Sequence, residues 1–150
     1  SLIARRLCGM PRYTVAAPSY LKRYGRPTHP MHLAEHKCFG YAYLSTQGVW
    51  QYTNAAGEQA SVRPAGQLRV NNGEAVIPAL LAGLGIADLP DFIVGDAIAR
   101  GEVEVILKGW KQPEGAVHLV TPPGGPRPAR VEVLADFLAK HFAKGRAQRK

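Results

Sequence analysis

Between Gln67 and Ala99 the chain changes character four times within a short span, and this alternation constrains its fold more than any other feature. Gln67 to Val70 is a β run, Asn71-Asn-Gly-Glu74 supplies residues of the capping type, and the apolar stretch Ala75 to Leu84 reads as a helix. Pro78 falls about one turn inside that helix, later than the position where proline is tolerated without cost, so a displaced start or a kink is expected. Gly83-Leu-Gly85 ends the helix, and Ile86 to Leu89 is a buried strand too short to alternate. Pro90 stops it, and Asp91 to Ala99 is helical again. Strands and helices in such close alternation argue for an α/β chain with a mixed sheet.

The flanking segments fit the same frame. Tyr13 to Ala17 reads as a β run closed by Pro18, after which Ser19 caps a helical turn through Tyr20, Leu21 and Tyr24 that Gly25 ends. A loop with a short helical turn, Arg26 to Lys37, leads into the apolar run Cys38 to Tyr43. Trp50 to Thr53 and Ser61 to Pro64 flank Asn54-Ala-Ala-Gly57 as a hairpin or meander. Val103 to Leu107 and Ala116 to Thr121 are the last β runs. Beyond the proline-rich loop, Val131, Leu134, Phe137, Leu138 and Phe142 recur at helical spacing and define one amphipathic closing helix.

Composition narrows the functional classes. A chain of 150 residues with 46% apolar content buries about two thirds of its unfolded surface, so it needs neither disulfides nor a structural metal to form a core. Cys8 and Cys38 form no CxxC pair, which favours a reduced, cytoplasmic setting. The longest nearly uncharged stretch, Ala75 to Leu89, is shorter than the ~18 residues a bilayer span needs, so no membrane partner is expected. The net charge of +8 favours anionic partners. Ser1 opens in mid-pattern, without a secretory signal or an initiator methionine, and the expectation is a piece of a longer protein.

Few residues offer chemistry. His29, His32, His36 and Cys38 are ligand types for zinc, but no second ligand pair lies at a fitting distance and no HExxH pattern is present, so no metal site is expected. Gly83-Leu-Gly85 lacks the third glycine of a dinucleotide loop and runs from helix into strand, the reverse of that motif. No nucleophile stands with a base, and Asp88 and Asp91 around Leu89-Pro90 read as a helix cap rather than an acid/base pair; neither a catalytic site nor a cofactor is expected. Asn71-Asn-Gly-Glu74 is different. It joins a strand end, hydrogen-bonding side chains and the free N–H groups of a helix start, a combination that either caps the helix or receives a small anion. The basic tail Lys144, Arg146, Arg149 and Lys150 carries no interleaved aromatic residue for base stacking and reads as a solvated end.

Taken in order, Ser1-Leu-Ile-Ala-Arg-Arg-Leu7, Val15-Ala-Ala-Pro-Ser-Tyr-Leu21, Gly25-Arg-Pro27 and Leu33-Ala-Glu-His-Lys-Cys38 form the first half of a recognisable pattern. Trp50, Val70-Asn-Asn-Gly-Glu74, Leu81-Ala-Gly-Leu-Gly-Ile-Ala87, Leu89-Pro90 and Asp136-Phe-Leu138 complete it. The pattern resembles the effector-binding domain of LysR-type transcriptional regulators nearly from end to end. That resemblance implies an α/β, periplasmic-binding-protein-like (type 2) fold of two lobes with an effector cleft between them. One lobe would be complete, residues 16–111, and the other partial: residues 1–15 as a remnant and 112–143 as its return strand and helix, followed by the tail 144–150.

The resemblance places Asn71, Asn72 and Gly73 at the helix start that the second lobe presents to the effector, with Tyr41 and Leu89 as neighbouring wall. It implies a small effector, anionic or aromatic, and homo-oligomers in the full-length protein. DNA would be bound through a winged helix-turn-helix absent from this chain. Segments lying outside the chain would cover apolar residues such as Val117, Leu119, Leu134 and Phe137, so an exposed apolar patch is expected. The alternative is a periplasmic-type solute-binding protein.

Overall fold

The computed structural model describes residues 2–41, 48–66, 68–124 and 128–147, with side chains described as far as residue 143. Two compact units emerge, one formed by Ser1–Met10 and Glu114–Lys150, the other by Pro11–Pro113. The sequence reading cuts the chain at Val15/Ala16 and again at Lys111/Gln112. The strand beginning at Arg12 nevertheless lies wholly inside the larger unit, because both of its sheet neighbours are there.

In the smaller unit, β1 (Ile3–Met10) pairs antiparallel with a strand near the other end of the chain, Gly115–Thr121, with a register irregularity between Arg6 and Cys8. No β run is expected before Tyr13 from the sequence. Arg5 and Arg6 break the apolar pattern of Ile3–Met10, and its partner becomes visible only in the folded chain. A helix, Ala129–Ala147, also belongs to this unit and extends the expected closing helix into the first residues of the basic tail. Its Val133, Leu134 and Phe137 are exposed, Val117 and Leu119 of the paired strand are half-buried, and Ala135 is buried.

The larger unit contains β2 (Arg12–Ala16), α1 (Pro18–Tyr24), β3 (Cys38–Tyr41), β4 (Trp50–Asn54), β5 (Gln59–Val62) and β6 (Arg69–Val70). It continues through α2 (Ile77–Leu81), β7 (Ile86–Pro90), α3 (Asp91–Ala99), β8 (Glu104–Val105) and β9 (Trp110–Lys111). In chain order, Gly115–Thr121 is therefore β10 and Ala129–Ala147 is α4. A five-stranded sheet has the order β6-β3-β7-β2-β8, with β3 parallel to β6 and β7, and β2 antiparallel to β7 and β8. The β4–β5 hairpin and β9 make a second sheet of three strands.

Strand side chains alternate between faces, and the core divides accordingly. Ala16, Cys38 and Ile86 join Trp50, Tyr52 and Val62 in one buried cluster. Their neighbours Val15, Phe39 and Ala87 join Leu80 of α2 and Val94 of α3 in the other. The five-stranded sheet thus has the hairpin sheet's residues against one face and α2 and α3 against the other.

Three local expectations change. Ser19 does not cap α1; Ala17 holds the cap position without a side-chain bond and Pro18 opens the helix, where its missing N–H costs nothing. The helix expected over Ala75 to Leu84 is instead a 3-10 turn, Gly73–Val76, running into the five-residue α2, with Pro78 in the first turn of α2. The β run Val103 to Leu107 shrinks to Glu104–Val105, since Leu107 takes a positive φ of 53° and turns the chain. Residues 42 and 43 of the expected Cys38 to Tyr43 run, and Gln67, lie outside the described residues.

Candidate functional site

The five residues singled out from the sequence lie at or next to the carboxyl ends of β3, β6 and β7, which run parallel. In open α/β sheets such ends are where ligands dock. Tyr41 ends β3 and is register partner to Val70, which ends β6, so Asn71 leaves the sheet beside it. Parallel partners share a face. Tyr41, half-buried, and Val70 therefore lie on the side of the sheet that carries α2 and α3.

Asn72 caps the 3-10 turn. Its backbone is extended, its Oδ1 accepts the Glu74 N–H at 3.0 Å, and its carbonyl accepts the Ala75 N–H at 3.2 Å. The Glu74 and Ala75 N–H groups are thus already engaged by the capping residue. With an α-helical part of only five residues, the helix-start reading of anion binding loses much of its electrostatic basis. What Asn72 retains toward a ligand is its side-chain amide N–H₂, together with the exposed side chain of Asn71.

Gly73 is fixed by packing. A Cβ there would stand 2.8 Å from Ile93 Cδ1 and 3.3 Å from Leu89 Cδ2, so the turn lies directly against β7 and α3. The structure therefore brings Gly73 and Leu89 together. Leu89 is only 5% exposed and packs with Val76, Val94 and Ala97, which makes it part of the core that shapes this edge. Ile93 and Tyr13, the latter paired with Leu89 across β2–β7, belong to the same surface and were not anticipated. A residue just beyond a proline stop, and another on a distant strand, become neighbours of this edge only through sheet pairing.

Asp88 departs from its expected role. It caps nothing; the N-cap of α3 is Pro90, and Asp88 points from β7 into the other face of the sheet. Arg12 Nε donates to its Oδ2 at 2.7 Å, while Oδ1 has no hydrogen-bond partner among the described residues. Burial pushes the Asp88 carboxyl up and the guanidinium of Arg12 pulls it down, with the upward push larger. Thr14, beside Asp88 on β2, bonds the Tyr52 hydroxyl at 2.9 Å, and Gln112 Nε2 donates to the same hydroxyl at 3.0 Å.

The histidine cluster is held by structural partners. His29 Nδ1 accepts the Met31 N–H, His32 Nδ1 accepts the Thr28 N–H, and His36 Nδ1 bonds the Tyr20 hydroxyl at 3.0 Å. Burial holds His36 below the ordinary imidazole range, with His32 adding to the effect. Burial also pushes the Cys38 thiol up to about 12, so the thiolate that a metal requires is disfavoured. Among the described residues no group of three or more His, Cys, Asp or Glu side chains is placed to hold a metal ion, and no helix is long and apolar enough to cross a membrane.

The fold is that of an α/β domain with a strand-end edge, and comparison with known proteins assigns its family. Residues 1–143 match the family model of the LysR substrate binding domain, and the chain belongs to that family. Over 143 residues it is 34% identical to the HTH-type transcriptional regulator PtxR of Pseudomonas aeruginosa, covering 95% of this chain and 46% of PtxR. The chain thus spans about half the length of the curated relatives it matches. Among solved structures it resembles the full-length Vibrio cholerae virulence activator AphB, with a TM-score of 0.84 and 27% identity over 95% of this chain and 48% of that one. It also resembles the CrgA regulatory domain of Neisseria meningitidis, with a TM-score of 0.77 and 27% identity over 94% of this chain and 69% of that one. The fold is accordingly the periplasmic-binding-protein-like type 2 class of these regulatory domains, and the relatives are transcriptional regulators rather than enzymes.

Proposed function

We propose that this domain senses a small anionic or aromatic metabolite, and contributes to oligomerisation, in a cytoplasmic transcription regulator that contacts DNA through a winged helix-turn-helix outside the chain. The observation that carries this reading is the family match over residues 1–143, joined to a strand-end edge at which Tyr41 pairs with Val70, the residue before Asn71 and Asn72, and Gly73 packs against Leu89. Asn71 and Asn72 supply the hydrogen bonds to the ligand, Tyr41 an aromatic face with a hydroxyl, and Gly73 and Leu89 a closely packed apolar floor. Residues 16–111 serve as the second lobe, with 1–15 and 112–143 as parts of the first. Binding acts on transcription through a difference in affinity between two states of the regulator.

A periplasmic-type solute-binding protein would share the fold, but the matched relatives are regulators. The in-frame coding sequence 5′ of the Ser1 codon separates the two. A helix-turn-helix followed by a long helix is the expected result; a secretory signal peptide there would overturn the regulator reading.

A further inference from the structure

We propose that the larger unit carries a second ligand site, a cleft for a small doubly charged oxyanion of the phosphate type, on the opposite face of the five-stranded sheet from Leu89. The cleft has a volume of about 170 Å³, and its walls include Cys38 and Gly40 of β3, Trp50 of β4, Arg63 and Gly66 between β5 and β6, and Arg69 of β6. Register fixes the face. Gly40 pairs with Arg69, and Cys38 packs in the cluster of Trp50 and Val62, whereas Phe39 packs in the cluster of Leu89.

Charge points to the occupant. Arg5, Arg6, Arg12, Arg26 and Arg100 each stand against a carboxylate, but Arg63 and Arg69 have no ion pair or hydrogen bond among the described residues, and no carboxylate lines their cleft. Both side chains are exposed and line the same cleft, where an anion could accept charge-assisted hydrogen bonds from them. Guanidinium forks match the oxygens of phosphate, and the buried Trp50, only 3% exposed, joins the cleft to the core beneath it.

The backbone around the cleft is held in place. Cys38 N–H donates to Ala65 O at 2.7 Å and Gly40 N–H to Leu68 O at 3.0 Å, tying the segment between the two arginines to β3. A Cβ on Gly66 would overlap the Cys38 carbonyl, and one on Gly40 would stand 3.3 Å from Arg69 Cγ, so both glycines permit close approach. Size limits the ligand. The cleft exceeds several times the roughly 30 Å³ of one liquid water and falls short of the roughly 300–1,000 Å³ that holds drug-sized ligands, which suits a phosphate-sized anion.

The test is titration of inorganic phosphate into the full chain at constant ionic strength set with chloride, read by backbone amide shifts and thermal unfolding. Saturable shifts at Gly40 and Gly66 with a raised Tm are expected. Arg63→Gln and Arg69→Gln should each weaken binding about tenfold or more, and Arg23→Gln, which removes a charge on α1, should leave it unchanged. Gly40→Val keeps both arginines but fills the cleft, and should abolish binding in a chain whose circular dichroism is unaltered. Absence of saturable binding to the unaltered chain, or binding that survives the paired Arg63→Gln and Arg69→Gln changes, would overturn the proposal.

Discussion

Arg12 donates from Nε to Asp88 Oδ2 at 2.7 Å and from Nη2 to the Asp88 carbonyl at 3.1 Å, so one side chain on β2 satisfies both the carboxylate and the backbone of a residue on β7. Asp88 has only 3% of its side chain exposed, and Arg12 18%. Removing one member of so buried a pair leaves a charge that neither water nor protein compensates.

Arg12→Gln should therefore cost about 3 kcal/mol near neutral pH, measured by denaturant unfolding. The pH dependence has a definite sign. The folded-state carboxyl of Asp88 already lies above its ordinary 3.8 because of burial, so the stability this group lends the fold is fully present below 3.8 and is lost as pH rises through its folded value. Loss of Arg12 removes the influence that lowers it and raises it further. The cost of Arg12→Gln should then shrink on acidification, as both proteins carry a neutral Asp88; a cost independent of pH would contradict this account.

Tyr52 is 2% exposed, and its hydroxyl accepts Gln112 Nε2–H and shares a second hydrogen bond with Thr14 Oγ1. Tyr52→Phe should destabilise the chain by about 1–2 kcal/mol, since both partners lose a bond in a buried place. Adding Thr14→Val, which removes the orphaned hydroxyl, should recover part of that loss in a double-mutant cycle. Strict additivity of the two changes would mean that the hydroxyl pair is not coupled.

Gly83 and Gly101 both take φ of +70°, but a Cβ at Gly101 meets nothing within 4 Å. At Gly83 it would overlap Ser19 Oγ and stand 3.3 Å from Tyr20 N. Gly101→Ala should cost about 1 kcal/mol through backbone strain alone, and Gly83→Ala more, near 2 kcal/mol. Thermal unfolding of the two variants side by side checks the order; equal costs would show that the contact at Ser19 relaxes freely.

Leu134 and Phe137 of α4 are 55% and 61% exposed, and Val133 beside them 70%. Apolar side chains presented together on one helix promote association. The chain should self-associate at high concentration by light scattering, and Leu134→Glu with Phe137→Lys should reduce this while leaving helix content unchanged. A monodisperse monomer before substitution would contradict the expectation.

Legibility in the sequence followed how local the signals were. Asp91–Ala99 was readable at both ends because Pro90 breaks the preceding strand and the periodicity stops before Gly101. The hairpin of β4 and β5 was readable because Asn54-Ala-Ala-Gly57 lies between alternating runs. β1 was not readable, since a strand carrying Arg5 and Arg6 is recognised only through its pairing with β10, over a hundred residues along the chain. The helix after Asn72 was overestimated: Val76 and Leu80 do join the core, but the segment starts as a 3-10 turn at Gly73, which lies close against Leu89 and Ile93.

The candidate ligand edge was legible for a related reason. Asn71-Asn-Gly-Glu74 is a contiguous signal, and Tyr41 and Leu89 were named through the family resemblance. Ile93 and Tyr13, and on the other face of the sheet the Arg12–Asp88 pair, were missed because each depends on which elements become neighbours. A lone aspartate in the apolar run Ile86–Pro90 was the available clue, and it indicated a buried cation partner rather than a cap.

The most direct test of the central claim is amide-resolved titration of the chain with a defined panel of small carboxylates and aromatic acids. The account predicts that at least one panel member produces saturable shifts centred on Tyr41, Asn71, Asn72, Gly73 and Leu89, and that Asn72→Ala weakens its binding. Saturable shifts centred elsewhere, or none across the panel, would contradict it.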